Sequence, residues 1–176
     1  MSMQSVILVD EHDNDLGSME KMEAHREGKL HRAFSVFVFN GNNELLLQKR
    51  AVGKYHSEGL WTNTCCSHPS PGETVIEAAN RRLQEEMGMQ TFLSTLFHFT
   101  YFAELDNQLI EHELDHVLIG HSDDEPKLNP LEVSEYRWES LDAIKKEMEA
   151  NPKQFTVWFK KIILEYQQQF KQTTFA

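Results

Sequence analysis

The chain has 176 residues, long enough for one compact unit that buries its core without disulfide support. Its 28 acidic against 17 basic residues give a formal charge of -11, which excludes nucleic acid or an anionic bilayer as main partner and obliges an anionic substrate to find a local basic pocket. The two cysteines are adjacent, Cys65 and Cys66, a spacing that closes only as a strained disulfide, so free thiols in a reducing cytoplasm are expected, and neither a basic-then-apolar leader nor a bilayer-length apolar run is present in the sequence.

Ser5 to Val9 is apolar and β-branched and is followed by Asp13-Asn14-Asp15, which predicts an opening strand and turn. Lys21 to His31 is polar and carries His25 and His31, with Gly28 between them. Arg32 to Phe39, rich in Phe and Val, turns through Asn40-Gly41-Asn42-Asn43 into Leu45 to Gln48, a hairpin signal. From Glu73 to Met87 the apolar residues Val75, Ile76, Ala79, Leu83 and Met87 recur mostly at three- and four-residue steps, one face of a helix that Gly88 closes. Thr91 to Leu105 and Leu109 to His121 predict a second hairpin around Asp106-Asn107, and Tyr136 to Trp138 a short strand. Leu141 to Met148 and Gln154 to Gln169 read as helices, broken apart at Asn151-Pro152. There is no repeat and no linker. Strands, then helices, with one helix inserted after a loop, predict an α+β fold over residues 1–176, a single domain with its sheet packed between helices.

The chemistry concentrates in WTNTCCSHPSPGETVIEAANRRLQEEMGM, which starts at Trp61 and reads as one loop entering one helix. Arg82 and Glu86 are four residues apart and so neighbours on a helix face; alone, such a spacing is a surface ion pair. With Gly72-Glu73, Arg81, Leu83, Glu85-Glu86, Gly88 and Met89, however, the stretch resembles the Nudix box, a loop-helix motif whose carboxylates hold divalent metal on a diphosphate. The resemblance implies a Nudix-type mixed β-sheet. Two positions depart from the box: Ser67 stands where it opens with Gly, and Arg82 where Glu follows its Arg. A cation there removes charge needed by the metal ions that activate water in the hydrolases. A guanidinium fork can instead clamp phosphate oxygens, leaving Glu86 to hold Mg²⁺ bridged to the diphosphate. The expectation is a Nudix fold with a reaction other than hydrolysis.

In LIEHELDHVLI, residues Glu111, Glu113, Asp115, Val117 and Ile119 share one side of a strand, and Ile110, His112, Leu114, His116 and Leu118 the other. Acids in line with valine and isoleucine enter the interior, where a carboxylate needs a cation or a proton. Together with TNTCCSHP around Cys66 and with His25 and His31, this run resembles type I isopentenyl-diphosphate isomerase, from about Lys21 through Trp158. The resemblance implies that His25, His31, His68, Glu111 and Glu113 bind one divalent metal. Imidazole with carboxylate suits Zn²⁺, Mn²⁺ or Fe²⁺ there better than Mg²⁺, with the choice among them left open. It further implies Mg²⁺ with the diphosphate at Glu86 and Cys66, and Cys66 and Glu113 as the catalytic pair on either side of a flat hydrocarbon. Tyr101 would hydrogen-bond near the glutamate, and Trp158 would offer its ring to a carbocation-like state. Lys21, Arg50, Lys54 and Arg82 would grip the diphosphate. The implied enzyme works in the cytoplasm, as a monomer or weak homodimer, on a small prenyl diphosphate in isoprenoid biosynthesis. It converts isopentenyl to dimethylallyl diphosphate by adding a proton at one carbon and removing one from another.

Apart from the resemblance, Trp158 beside Phe155 and Phe159 reads as core, Trp61 as wall, and the lysines and arginines as solvated surface. Cys65 and Ser67 are expected only to pack, His56, His98, His112, His116 and His121 to lie on the surface or the second sheet face, and Asp123 to Glu125 to form a solvated loop. A Nudix hydrolase of nucleoside or prenyl diphosphates shares the metal helix but leaves Cys66 and the histidines without a task. A noncatalytic metal-binding or interaction domain predicts no turnover and indifference to Cys66→Ala.

Overall fold

The computed structural model describes residues 4–171. Strands β1 (Ser5–Val9) and β2 (Asp15–Glu20) form an antiparallel hairpin that leads into helix α1 (Lys21–Glu27). Strand β3 (His31–Phe39) then runs through the middle of a nine-stranded sheet, pairing with β1, β4 (Glu44–Arg50), β6 (Cys65–Ser67) and β8 (Ile110–His121). Its pairing with β8 is parallel, so the sheet is mixed, as the sequence resemblance implied. Strand β5 (Trp61–Thr62) and β9 (Val133–Ser140) pair with β4, and β7 (Ser94–Glu104) pairs with β8. The remaining helices are α2 (Val75–Met87), α3 (Leu141–Ala150) and α4 (Val157–Lys171).

Because β3 is covered on both faces, its apolar run is nearly continuous, and its side chains alternate between two cores. Phe34, Val36 and Val38 pack with Ala78, Ala79, Leu83 and Met87 of α2, whereas Phe37 and Phe39 pack with Trp158, Phe159, Ile162 and Ile163 of α4. The sheet is therefore sandwiched between helices. Helix α2 opens with a capping box, Thr74 accepting from Glu77 N while the Glu77 side chain accepts from Thr74 N. It closes at Gly88, where φ is 61° and an added Cβ would stand 2.7 Å from Lys127; only glycine meets both conditions.

The polar stretch after Lys21, given no element from its sequence, is a helix, short enough to show no apolar period. Three expectations are corrected. The segment Cys65–Ser67, taken as loop, is a strand of three residues registered on β3. The turn after Phe39 forms, but its strands share only the Phe39–Leu45 rung and then part, β4 turning to β9 and β5. The last helix starts at Val157, after one 3-10 turn at Pro152–Gln154. Among the described residues no helix is long and apolar enough to cross a membrane.

Candidate active site

Strand register assembles the site. In β3 and β8 His31 pairs with Glu113, in β7 and β8 Tyr101 pairs with Glu113, and in β3 and β6 Ser35 pairs with Cys66. Directly paired residues point to the same side, so Glu113 is flanked by an imidazole and a phenol on the face that also carries Cys66. Tyr101 Oη donates to Glu113 Oε1, and His68, one residue beyond β6, brings its Nε2 to 2.7 Å from Glu113 Oε2. His25 reaches in from α1 and contacts Glu111 Oε1 at 2.9 Å. An inner cleft of about 270 Å³ is lined by Ser35, Cys66, His68, Glu113 and Trp158. Cys66 and Glu113 thus face one cavity.

Five donors converge here. One ligating atom each from His25, His31, His68, Glu111 and Glu113 lies within 4.8 Å of all the others; His25, His31, Glu111 and Glu113 are buried, and the His68 side chain is 9% exposed. The outer nitrogens of His25 and His31 are committed to main-chain carbonyls, Nδ1 of His25 to Lys21 O at 2.6 Å and Nδ1 of His31 to Lys29 O at 2.8 Å. In the neutral rings this sets the Nε2 lone pairs toward the two carboxylates, a meeting of acceptors. His31 Nε2 lies 3.3 Å from Glu113 Oε2 without a well-directed hydrogen bond, and Glu111 Oε2 has no partner. A divalent cation satisfies all these lone pairs at once, and the donor set fits one. Adding such an ion at a hundredfold excess over its Kd should raise the unfolding free energy by about 2.7 kcal/mol. Thermal unfolding with Mn²⁺ and then with a chelator measures it; an unmoved Tm would deny the cluster that role.

Protonation follows from these contacts. Burial opposes charge on Glu113, yet the adjacent imidazoles of His31 and His68 hold its carboxyl well below the usual range. Asp115, next along the same strand face, is pushed well up by burial and then by the charge of Glu113, and accepts from Ser35 Oγ at 2.7 Å. The Cys66 thiol is pushed up to about 12, chiefly by burial, with Arg50 pulling the other way.

An outer basin of about 800 Å³ adjoins the cleft, sharing Arg50, Tyr55, Cys66 and His68 with it and adding Lys21, Lys54 and Arg82. This is the local basic pocket that a chain of charge -11 needs for an anion. Burial lowers Lys21, and the charges of Lys54 and Arg82 lower it further, as expected of cations crowded together. Arg82 is held strongly cationic against burial by Glu86, 3.6 Å away. Glu86 is itself buried and accepts from Cys65 Sγ at 2.7 Å.

Comparison with known proteins gives the family. The Nudix domain profile matches residues 29–159. An isopentenyl-diphosphate Delta-isomerase of Pectobacterium atrosepticum is 54% identical over 174 residues, covering 97% of each chain. The chain belongs to the isopentenyl-diphosphate Delta-isomerases of the Nudix family. A second isomerase of that name, from Photorhabdus laumondii, is 54% identical over 92% of this chain and 93% of its own. Among solved structures, a Deinococcus radiodurans protein superposes with a TM-score of 0.71 at 21% identity, covering 84% of this chain and 90% of that one, which speaks for the fold alone.

The residues nominated from the family resemblance fall into two groups in space. His25, His31, His68, Glu111, Glu113, Tyr101, Cys66 and Trp158 gather in and around the inner cleft, and Lys21, Arg50, Lys54 and Arg82 line the basin. Glu86 lies behind Arg82, and the thiol that touches it is that of Cys65. Cys65, expected only to pack, therefore has a polar contact; consecutive residues of β6 point to opposite faces, which separates the two thiols. His56, expected on the surface or the second sheet face, is 2% exposed and 2.7 Å from Glu111. Glu132 was not singled out, yet it pairs with Lys54 and lies 3.3 Å from Arg82. Residues 51–60 contain no strand or helix, so periodicity offered no sign of His56; a histidine six residues after Arg50, itself a nominated phosphate contact, was the only signal.

Proposed function

We propose that this chain interconverts isopentenyl and dimethylallyl diphosphate in isoprenoid biosynthesis, with residues 1–176 acting as one Nudix-like isomerase domain. The observation that carries the reading is the shared cleft: a thiol, a carboxylate and an indole line one cavity, and its mouth holds four cations. A Nudix hydrolase needs neither the thiol nor the indole.

The substrate's diphosphate sits on Lys21, Arg50, Lys54 and Arg82, whose forks and ammonium groups match its oxygens. This anchors the five-carbon tail in the inner cleft, between Cys66 and Glu113. An alkene is a feeble base, so the acid must be held close and water kept out. One member of the pair gives a proton to the terminal methylene carbon, and the other takes one from the allylic carbon between the double bond and the carbon bearing oxygen. The intervening charge is tertiary and carbocation-like. Trp158 presents a ring to it, stabilising the charge with no nucleophile that would trap it. Tyr101 keeps Glu113 oriented and relays its proton.

His25, His31, His68, Glu111 and Glu113 would hold one divalent ion, Mn²⁺ or Zn²⁺, while Glu86, with the main chain at Cys66 rather than its thiol, which faces away from Glu86, would hold Mg²⁺ on the diphosphate. Bound there, the ions neutralise diphosphate charge and tune the acidity of Glu113. Both cysteines are free thiols, which supports a cytoplasmic location, and a monomer or weak homodimer suffices because every nominated group comes from one chain.

Incubation with isopentenyl diphosphate and Mg²⁺, followed by ³¹P and ¹H NMR, tests the reading. Intact diphosphate with a moved double bond is expected; release of orthophosphate or a monophosphate would point to the hydrolase instead. Glu86→Gln should weaken Mg²⁺-dependent pyrophosphate binding about tenfold or more, some 1.4 kcal/mol, by calorimetry. Without Mg²⁺ the same variant should bind pyrophosphate at least as well as the parent, because Arg82 loses a competing carboxylate.

A further inference from the structure

The segment between β4 and β5 carries a buried imidazole that the proton-transfer scheme leaves idle. His56 Nε2 lies 2.7 Å from Glu111 Oε1, the oxygen that His25 Nε2 also approaches at 2.9 Å. On the other side of the ring, Nδ1 is 3.0 Å from Ser57 Oγ. The ring meets Trp158 edge-on, with centroids 5.7 Å apart and planes at 80°, and lies 4.2 Å from the ring of Tyr55. Its main-chain carbonyl accepts from Arg50 Nη2 at 3.0 Å. The loop is further tied by Ser57 N donating to Asp106 Oδ1 at 3.3 Å.

His56 is not one of the five residues whose ligating atoms lie within 4.8 Å of one another. Its place is one step out, on a carboxylate that needs steadying. Glu111 Oε2 has no hydrogen-bond partner, and the approach of His56 Nε2 to Oε1 is short but bent, with no straight hydrogen bond on that nitrogen. The carboxylate is thus met at Oε1, by the His25 Nε2 contact and by the close, bent approach of His56 Nε2.

We propose that His56 is a positioning residue of the metal site: Ser57 donates to Nδ1, Nε2 carries the ring proton and holds Glu111 Oε1, and the ring edge braces Trp158. The assignment rests on the five-residue metal site of the isomerase reading. Carboxylates that ligate a metal are commonly held by such partners, and removing one costs about 10- to 100-fold in metal affinity. By tying Glu111 and Trp158 to one ring, His56 also couples the placement of the ion to that of the indole.

The full chain, stripped with a chelator and titrated with Co²⁺ alone, provides the test, read from the visible absorption bands of the bound ion. His56→Phe keeps the ring and loses both nitrogens; His56→Gln keeps a donor near Nε2. His56→Phe should bind Co²⁺ about 10- to 100-fold more weakly, with shifted bands, and His56→Gln within about threefold of the parent. Parental affinity and bands in His56→Phe would overturn the proposal. So would a His56→Gln variant as damaged as His56→Phe with the band intensity of a changed coordination number, since His56 would then be a ligand. Should His56→Phe fail to fold, Ser57→Ala takes its place, with a severalfold loss expected and no loss overturning it. Failure of the parent to bind Co²⁺ would remove the metal site and this assignment together. Binding by the parent without turnover would count against the isomerase reading only, leaving the Co²⁺ comparison intact.

Discussion

Cys66→Ser should lose about three orders of magnitude or more in kcat, near 4 kcal/mol of barrier, while folding and metal content hold. A hydroxyl fills the space of the thiol but exchanges its proton far less readily. The site has no substitute: Cys65 points to the other face of β6, onto Glu86, and the Ser35 hydroxyl donates to Asp115. The loss should appear in kcat with little change in KM, because the proposed seat of the diphosphate is the basin and not the sulfur. Steady-state kinetics, metal analysis and circular dichroism on one preparation measure all three. A near-parental rate would take Cys66 out of the mechanism.

Glu113→Gln should do more damage, since it removes two functions at once. In the proposed reading the carboxylate is a member of the catalytic pair, and it is also one of five convergent donors, with His68 at 2.7 Å and His31 at 3.3 Å. An amide of the same shape carries no charge and turns N–H groups toward those imidazoles. Turnover should fall about a thousandfold or more and affinity for the cluster's ion at least tenfold, the second read by titration of the stripped protein. Saturating metal should not restore the rate. Full recovery at high metal would mean that Glu113 serves the ion and not the proton.

Part of this was legible in the chain. Helix α2 could be read because its apolar residues keep a steady helical step and Gly88 marks its end. The inward row Glu111, Glu113, Asp115, Val117, Ile119 could be read because strand alternation is fixed at two. Helix α1 and strand β6 could not, since seven and three residues hold too little periodicity. The meeting of His25, His31 and His68 with the acids of β8 was beyond spacing arguments. It depends on the parallel register of β3 on β8 and on β6 pairing, both long-range, and only family resemblance foreshadowed it. His56 escaped because its partner, Glu111, is 55 positions away on another strand.

The proposed placement of Cys66 and Glu113 on opposite sides of the substrate is tested most directly by a single turnover in deuterated water, the protein first equilibrated in that solvent. A proton lifted by one group cannot be the proton given by the other on the far side. The new methyl group of dimethylallyl diphosphate should therefore carry one deuterium in the first turnover, seen by ²H NMR. Product whose new methyl keeps only protium would mean that hydrogen is passed within the substrate by a single group, and would contradict the two-sided arrangement.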